Sequence, residues 1–204
     1  GTKIIDLSLY NKVPKFIAVE GPIGVGKTTL STLLAESFGY EVILEEPSQN
    51  PFLDDFYKNP QQAALGTQLF FLFQRVRHVQ DFKQEDIFSS SKVSDFLLDK
   101  DMLFAKVTLS ERELELYMQI YNYLSLDLPT PDLVVYLQAN TETLYKRIIN
   151  RGIEMEKNIS FEYLESLNEC YKEFFLSFER SPVLIVNTEA IDLANNKSDF
   201  QLLV

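Results

Sequence analysis

Short apolar runs recur along this chain, and amphipathic stretches separate them. KFIAVE (15–20), EVILEE (41–46), KVSDFL (92–97), PDLVVYLQA (131–139) and PVLIVN (182–187) have the length and β-branched content of buried strands. The stretches between them repeat with the helical period. TTLSTLLAESF (28–38) is one, and residues 61–82 form a longer one with Leu65, Leu69, Leu72, Phe73, Val76 and Val79 predicted on one side. Ser110-Glu111-Arg112-Glu113 reads as a capping box opening a helix striped by Leu114, Tyr117, Tyr121 and Leu124. Helices over 141–151 and 161–178 complete the pattern, and the chain after Asn187 carries no readable period. Strands alternating with helices predict an α/β fold built on a five-stranded parallel sheet. The helical stripes read as core or dimer surface. In such sheets ligands collect at the carboxyl ends of the strands, which would bring together Glu45-Glu46, Asp95, Ala139-Asn140 and the turn after the first strand.

That turn carries the most specific chemistry. Gly21-Pro22-Ile23-Gly24-Val25-Gly26-Lys27-Thr28 fits G-x-x-x-x-G-K-[ST] and lies where a strand passes into a helix. Glycine lets the backbone bend so that successive N–H groups and the positive helix end face phosphate oxygens. Lys27 would reach the β- and γ-phosphates of a nucleoside triphosphate and the Thr28 hydroxyl would ligate Mg²⁺, with Thr29 an ordinary first-turn residue of the binding loop.

Composition narrows the class of ligand. With 19 Lys+Arg against 30 Asp+Glu, the net charge of −11 disfavours a nonspecific nucleic-acid or membrane surface and leaves a small anionic ligand held by local cations. No run approaches a transmembrane span, and Cys170, the single cysteine, excludes an internal disulfide framework. A cytoplasmic protein of one domain, residues 1–204, is expected. Asn196-Lys197-Ser198-Asp199 spells a guanine-reading N-K-x-D, but no hydrophobic strand precedes it and no D-x-x-G accompanies it, so a GTPase is rejected. His78 is read as a surface residue.

The motifs FIAVEGPIGVGKTTL, LEEPSQNPFLDDFY, ALGTQLFFLFQR, SDFLLDKDMLFA, LVVYLQA and KRIINRGIEMEKNISFEYLESL stand in an order and spacing that resemble the deoxynucleoside kinase family over residues 14–190, its bacterial deoxyadenosine/deoxyguanosine branch above all. The resemblance implies a three-layer P-loop kinase with a short lid at about 151–160. It also implies phosphorylation of the 5′-hydroxyl of a 2′-deoxynucleoside by ATP with Mg²⁺, and a homodimer. Residue by residue, it assigns the catalytic base to Glu46, the acid of the E-P pair; Glu45, pointing the other way along a strand of period two, reads as a solvent or cap residue. It places Tyr57 and Glu156 on the sugar 3′-hydroxyl, Gln68 and Arg75 on the base, and Arg147 and Arg151 on ATP. Gln68 and Arg75 are seven positions apart, nearly two helical turns, so both face one way.

Two departures alter that picture. Many relatives carry a [DE]-R-S motif after the third strand, where this chain has Asp95-Phe96-Leu97. Asp95 keeps the acid that assists Mg²⁺, but Phe96 supplies no guanidinium, so charge neutralisation falls to Lys27, Arg147, Arg151 or Lys100. Ile153 likewise stands at a lid position that is often arginine. Asp99 and Asp101 are both candidates to pair with Arg75, with Asp101 taken as the substrate-side residue. A thymidylate or nucleoside monophosphate kinase is the enzymatic alternative, and a nucleotide-binding regulatory module without turnover is the alternative from another class.

Overall fold

The structure, a computed structural model, describes residues 14–84, 91–125 and 128–189, with the side chains of 82–84 excepted. The N-K-x-D tetrapeptide therefore lies outside the described residues. Five strands, β1 (Phe16–Glu20), β2 (Glu41–Ile43), β3 (Lys92–Ser94), β4 (Leu133–Gln138) and β5 (Val183–Asn187), form a wholly parallel sheet in the order β2-β3-β1-β4-β5. The register sets Ile17 beside Val93 and Leu133, and Val135 beside Leu184. β1 is buried along its whole length because it is the central strand and both of its faces are covered.

The alternation of side chains along β1 sorts the two layers. Ile17 and Val19 enter a core with Leu30, Leu34 and Ala35 of α1 (Lys27–Phe38), and with Leu144 and Ile148 of α6 (Thr141–Arg151). Phe16 and Ala18 enter the opposite core with Leu103 of α4 (Lys100–Thr108), and with Tyr171 and Phe175 of α7 (Phe161–Leu176). A third layer of contacts joins α3 (Pro60–Gln84) to α5 (Glu111–Leu124), where Leu72 and Val76 meet Tyr117 and Tyr121. Phe73, predicted for that same stripe, is instead half exposed. α5 opens on the predicted capping box: Ser110 Oγ accepts from Glu113 N–H, and Glu113 accepts from Ser110 N–H.

Two strand ends and two helices differ from the sequence reading. β2 stops at Ile43 and β3 at Ser94, so Leu44, Glu45, Asp95 and Phe96 belong to loops. α2 (Leu53–Lys58) and α4 are helices that the apolar pattern did not announce, since each is short and buries only a few residues. No helix among the described residues is long and apolar enough to cross a membrane.

Candidate active site

At the carboxyl ends of β1, β2 and β3 the loops open a cavity of about 390 Å³, within the usual range for small-molecule sites. The phosphate loop forms its floor. Gly21 is required by space, because a Cβ there would stand 2.5 Å from the Leu137 carbonyl oxygen of β4. Gly26 is required by backbone conformation, with φ at 103° immediately before α1. Ile23, Gly24, Gly26, Lys27, Thr28 and Thr29 face the cavity, whereas Pro22 and Val25 are buried, Val25 anchoring the loop in the core. Lys27 Nζ donates to the Gly21 carbonyl at 2.8 Å and lies 3.8 Å from Glu20 Oε1. Burial, and then the Lys100 ammonium, bring the Lys27 pKa down to about 8.

Thr28 and Asp95 are brought together as predicted for a metal site. Thr28 Oγ1 donates to Asp95 Oδ2 at 2.8 Å, and Asp95 Oδ1 accepts from the Glu45 backbone N–H at 2.8 Å. Burial and the Glu45 carboxylate push the Asp95 carboxyl above the usual range, so a cation placed there would relieve it. A hydroxyl and a single carboxylate fit Mg²⁺, which binds few protein oxygens and completes its shell with phosphates and water.

The carboxylates of the β2–α2 loop are reversed relative to the sequence reading. Glu45 lines the cavity; Glu46 is exposed and does not. The strand alternation from which Glu45 was expected to face away ends at Ile43, two residues too early to govern these positions. Glu46 instead precedes a 3₁₀ turn, Pro47–Gln49, whose Gln49 N–H it accepts through its own carbonyl. Glu45 Oε1 receives Arg75 Nε at 2.9 Å and Lys100 Nζ at 2.6 Å. Burial alone would raise the Glu45 carboxyl, but Arg75, Lys100 and Lys27 outweigh it and hold the pKa near about 2.

Around the rest of the cavity stand Tyr57, Gln68, Arg75, Arg151 and Glu156, as predicted, together with Ile153 and Met155. Gln68 is buried on α3, and its Oε1 has no hydrogen-bond partner. Arg75, two turns on, lies over the Phe71 ring and is paired with the buried Asp101 as well as Glu45. Asp101 also accepts from the Tyr117 hydroxyl. Asp99, the other candidate partner, pairs with Arg180 at 2.9 Å instead. Arg151 grips Glu156 through two hydrogen bonds, and burial with the nearby Glu156 charge raises the Tyr57 hydroxyl pKa.

Arg147 is not among these residues. Expected one turn from Arg151 and converging with it, it donates to the Thr188 hydroxyl at 3.1 Å and carbonyl at 2.6 Å, just beyond β5. Asn140 likewise serves the fold, capping α6 by accepting from Thr143 N–H. His78 lies beside Phe96, away from the cavity, and both belong to the packing behind β3. Glu20 was missed: it ends β1, wholly buried, accepting from Gly21 N–H, Leu97 N–H and the Tyr171 hydroxyl. Its only signal was an acid closing an apolar strand directly before the phosphate loop.

The profile of the deoxynucleoside kinase family matches residues 17–204. The deoxyguanosine kinase of Bacillus subtilis is 39% identical over 91% of this chain and 92% of its own length. The deoxyadenosine/deoxycytidine kinase of the same organism is 31% identical over 94% and 92%. A solved structure of deoxyadenosine kinase from M. mycoides, with the products dCMP and a flexible dCDP bound, superposes with a TM-score of 0.80 at 28% identity, covering 92% of this chain and 95% of that one. The fold is that of a P-loop kinase, and the chain belongs to the deoxynucleoside kinase family. It is a phosphotransferase that phosphorylates deoxynucleosides.

Proposed function

We propose that residues 1–204 act as one catalytic unit that transfers the γ-phosphoryl group of ATP, as its Mg²⁺ complex, to the 5′-hydroxyl of a purine 2′-deoxynucleoside. The observation that carries this reading is the placement of Glu45, a carboxylate held ionised across the cavity from the phosphate loop. Thr28 and Asp95 would hold Mg²⁺, which would supply neutralisation of charge on the donor phosphates. Lys27 leaves its parking place on the Gly21 carbonyl to meet the β- and γ-phosphates. Glu45 Oε2 receives the 5′-hydroxyl and finally its proton, as the new O–P bond forms and the bond from the γ-phosphorus to the β–γ bridging oxygen breaks. Gln68 and Arg75 meet the base edge, and Tyr57 and Glu156 the 3′-hydroxyl, with Arg151 swinging the lid of 151–160 over the phosphates. Arg147 supports the end of β5 through Thr188.

The acceptor is a neutral sugar rather than a nucleotide. Arg75 and Lys100 are each already paired with carboxylates, which leaves the acceptor side poor in free positive charge for a monophosphate. The preference for purines, deoxyguanosine first, is supported by the greater identity to a deoxyguanosine kinase than to a deoxyadenosine/deoxycytidine kinase. A homodimer is supported by the apolar side chains of Phe73, Leu116 and Tyr123, which α3 and α5 leave exposed. A reducing, ATP-rich cytoplasm is the fitting location. The test is ADP release from ATP with each of the four deoxynucleosides and dTMP. Deoxyguanosine should give the highest kcat/KM and dTMP none. Turnover of dTMP, or ADP release independent of any acceptor, would refute the reading.

A further inference from the structure

The cavity holds a second ammonium group besides Lys27. Lys100 begins α4, lines the cavity, and has a side chain only 2% exposed. Its Nζ lies 2.6 Å from Glu45 Oε1 and 3.6 Å from Glu20 Oε2. A buried ion pair is weak support for stability, since apolar side chains fill such space without desolvating charge. A lysine retained there, with its charged end in a ligand cavity, points to use.

Its geometry specifies the use. Arg75 Nε and Lys100 Nζ both fall on Oε1 of Glu45, and among the described residues Oε2 has no hydrogen-bond partner. One oxygen of the carboxylate is gripped by two cations, and the other is left for a ligand. Arg75 also holds Asp101, so it is shared between two acids. Lys100 is tied from behind to the phosphate loop: Glu20 reaches it through Oε2, while Glu20 Oε1 accepts from Gly21 N–H at 2.8 Å. Phe96, the residue after Asp95, is buried against His78 and brings no charge to the cavity.

We propose that Lys100 is the positioning residue of the transfer, its ammonium fixing Glu45 so that Oε2 meets the nucleoside 5′-hydroxyl in line with the phosphate loop. This rests on the reading of Glu45 as the acceptor of that hydroxyl. In the transfer only the substrate proton moves, to Oε2.

The test compares Lys100→Met, which removes the charge at similar length, Lys100→Arg, Glu45→Gln and the double variant Lys100→Met/Glu45→Gln, at saturating ATP and deoxynucleoside. ADP affinity is measured separately by calorimetry. Lys100→Met should lower kcat about 10- to 100-fold, the penalty of a misplaced reacting group. ADP affinity should stay within about twofold, since the donor phosphates keep Lys27. Lys100→Arg should recover part of kcat, and the double variant should be no slower than Glu45→Gln alone, because a residue acting only through Glu45 has nothing left to position. Unchanged kcat in Lys100→Met, a loss matched in ADP affinity, or losses that multiply in the double variant would each overturn the proposal. Wild-type kcat in Glu45→Gln would instead remove the reading beneath it. If Lys100→Met does not fold, Lys100→Gln takes its place in the same comparisons. Failure of both to fold would assign Lys100 to stability alone.

Discussion

A carboxylate with a pKa near about 2 is a weak base at neutral pH, which decides what Glu45 can contribute. On the proposed reading its value lies in accepting the 5′-hydroxyl hydrogen bond, with proton removal late in a loose transition state. Glu45→Gln, which keeps the shape but cannot take the proton, should therefore lower kcat by about 10²-fold, the low end of general-base effects. Glu46→Gln, on the exposed side of the same loop, should retain nearly full kcat; the opposite ranking in steady-state assays would restore the original assignment. Lys27 makes a second residue-scale prediction. Its pKa is lowered to about 8, so the charged form that phosphate needs is present below that pH and lost above it. The profile of kcat/KM for ATP, which reports the free enzyme, should be level below about pH 8 and fall as pH rises through it. A profile flat to pH 10 would mean that the Lys27 ammonium is not what receives ATP.

Between elements, Arg75 and Glu45 are held by a relay that crosses three helices. Tyr117 on α5 donates to Asp101 on α4, which pairs with Arg75 on α3, which reaches Glu45 in the β2–α2 loop. Tyr117 and Asp101 are both buried, so removing one hydroxyl leaves an acid short of a donor inside the core. Tyr117→Phe should cost about 1–3 kcal/mol in denaturant melts, the range for an unsatisfied buried group. It should also raise the nucleoside KM more than the ATP KM, because Arg75 loosens while the phosphate loop stays in place. Equal changes in both constants would show that α5 supports the fold without tuning the base side.

At the scale of the molecule, the proposed homodimer has exposed apolar side chains to account for. α5 turns Tyr117 and Tyr121 inward against α3, yet Leu116 and Tyr123 on its other side stay exposed, as does Phe73 of α3. Closed two-fold pairing would cover such a surface with a copy of itself. Light scattering at micromolar protein should give twice the mass of the 23.6 kDa chain, and Tyr123→Glu should shift it toward the monomer. A monomeric wild type would place these side chains among the ordinary exposed apolar residues of a soluble surface.

Strand order apart, the sheet was legible in the sequence because its signals are local: an apolar run buried on both faces, a glycine turn, a capping box. The phosphate loop was legible for the same reason, its function being carried by consecutive backbone groups. So was the spacing of Gln68 and Arg75, which a regular helix fixes without help. What the sequence could not decide was any contact made across loops. Glu45 and Glu46 are neighbours with the same chemistry, and only the early end of β2 and the turn at Pro47 determine which enters the cavity. Asp101 prevails over Asp99 because α4 starts between them, directing one to Arg75 and the other to Arg180. The roles of Glu20 and Lys100 appear only when distant segments fold against one another, for the charge that each balances lies on another part of the chain.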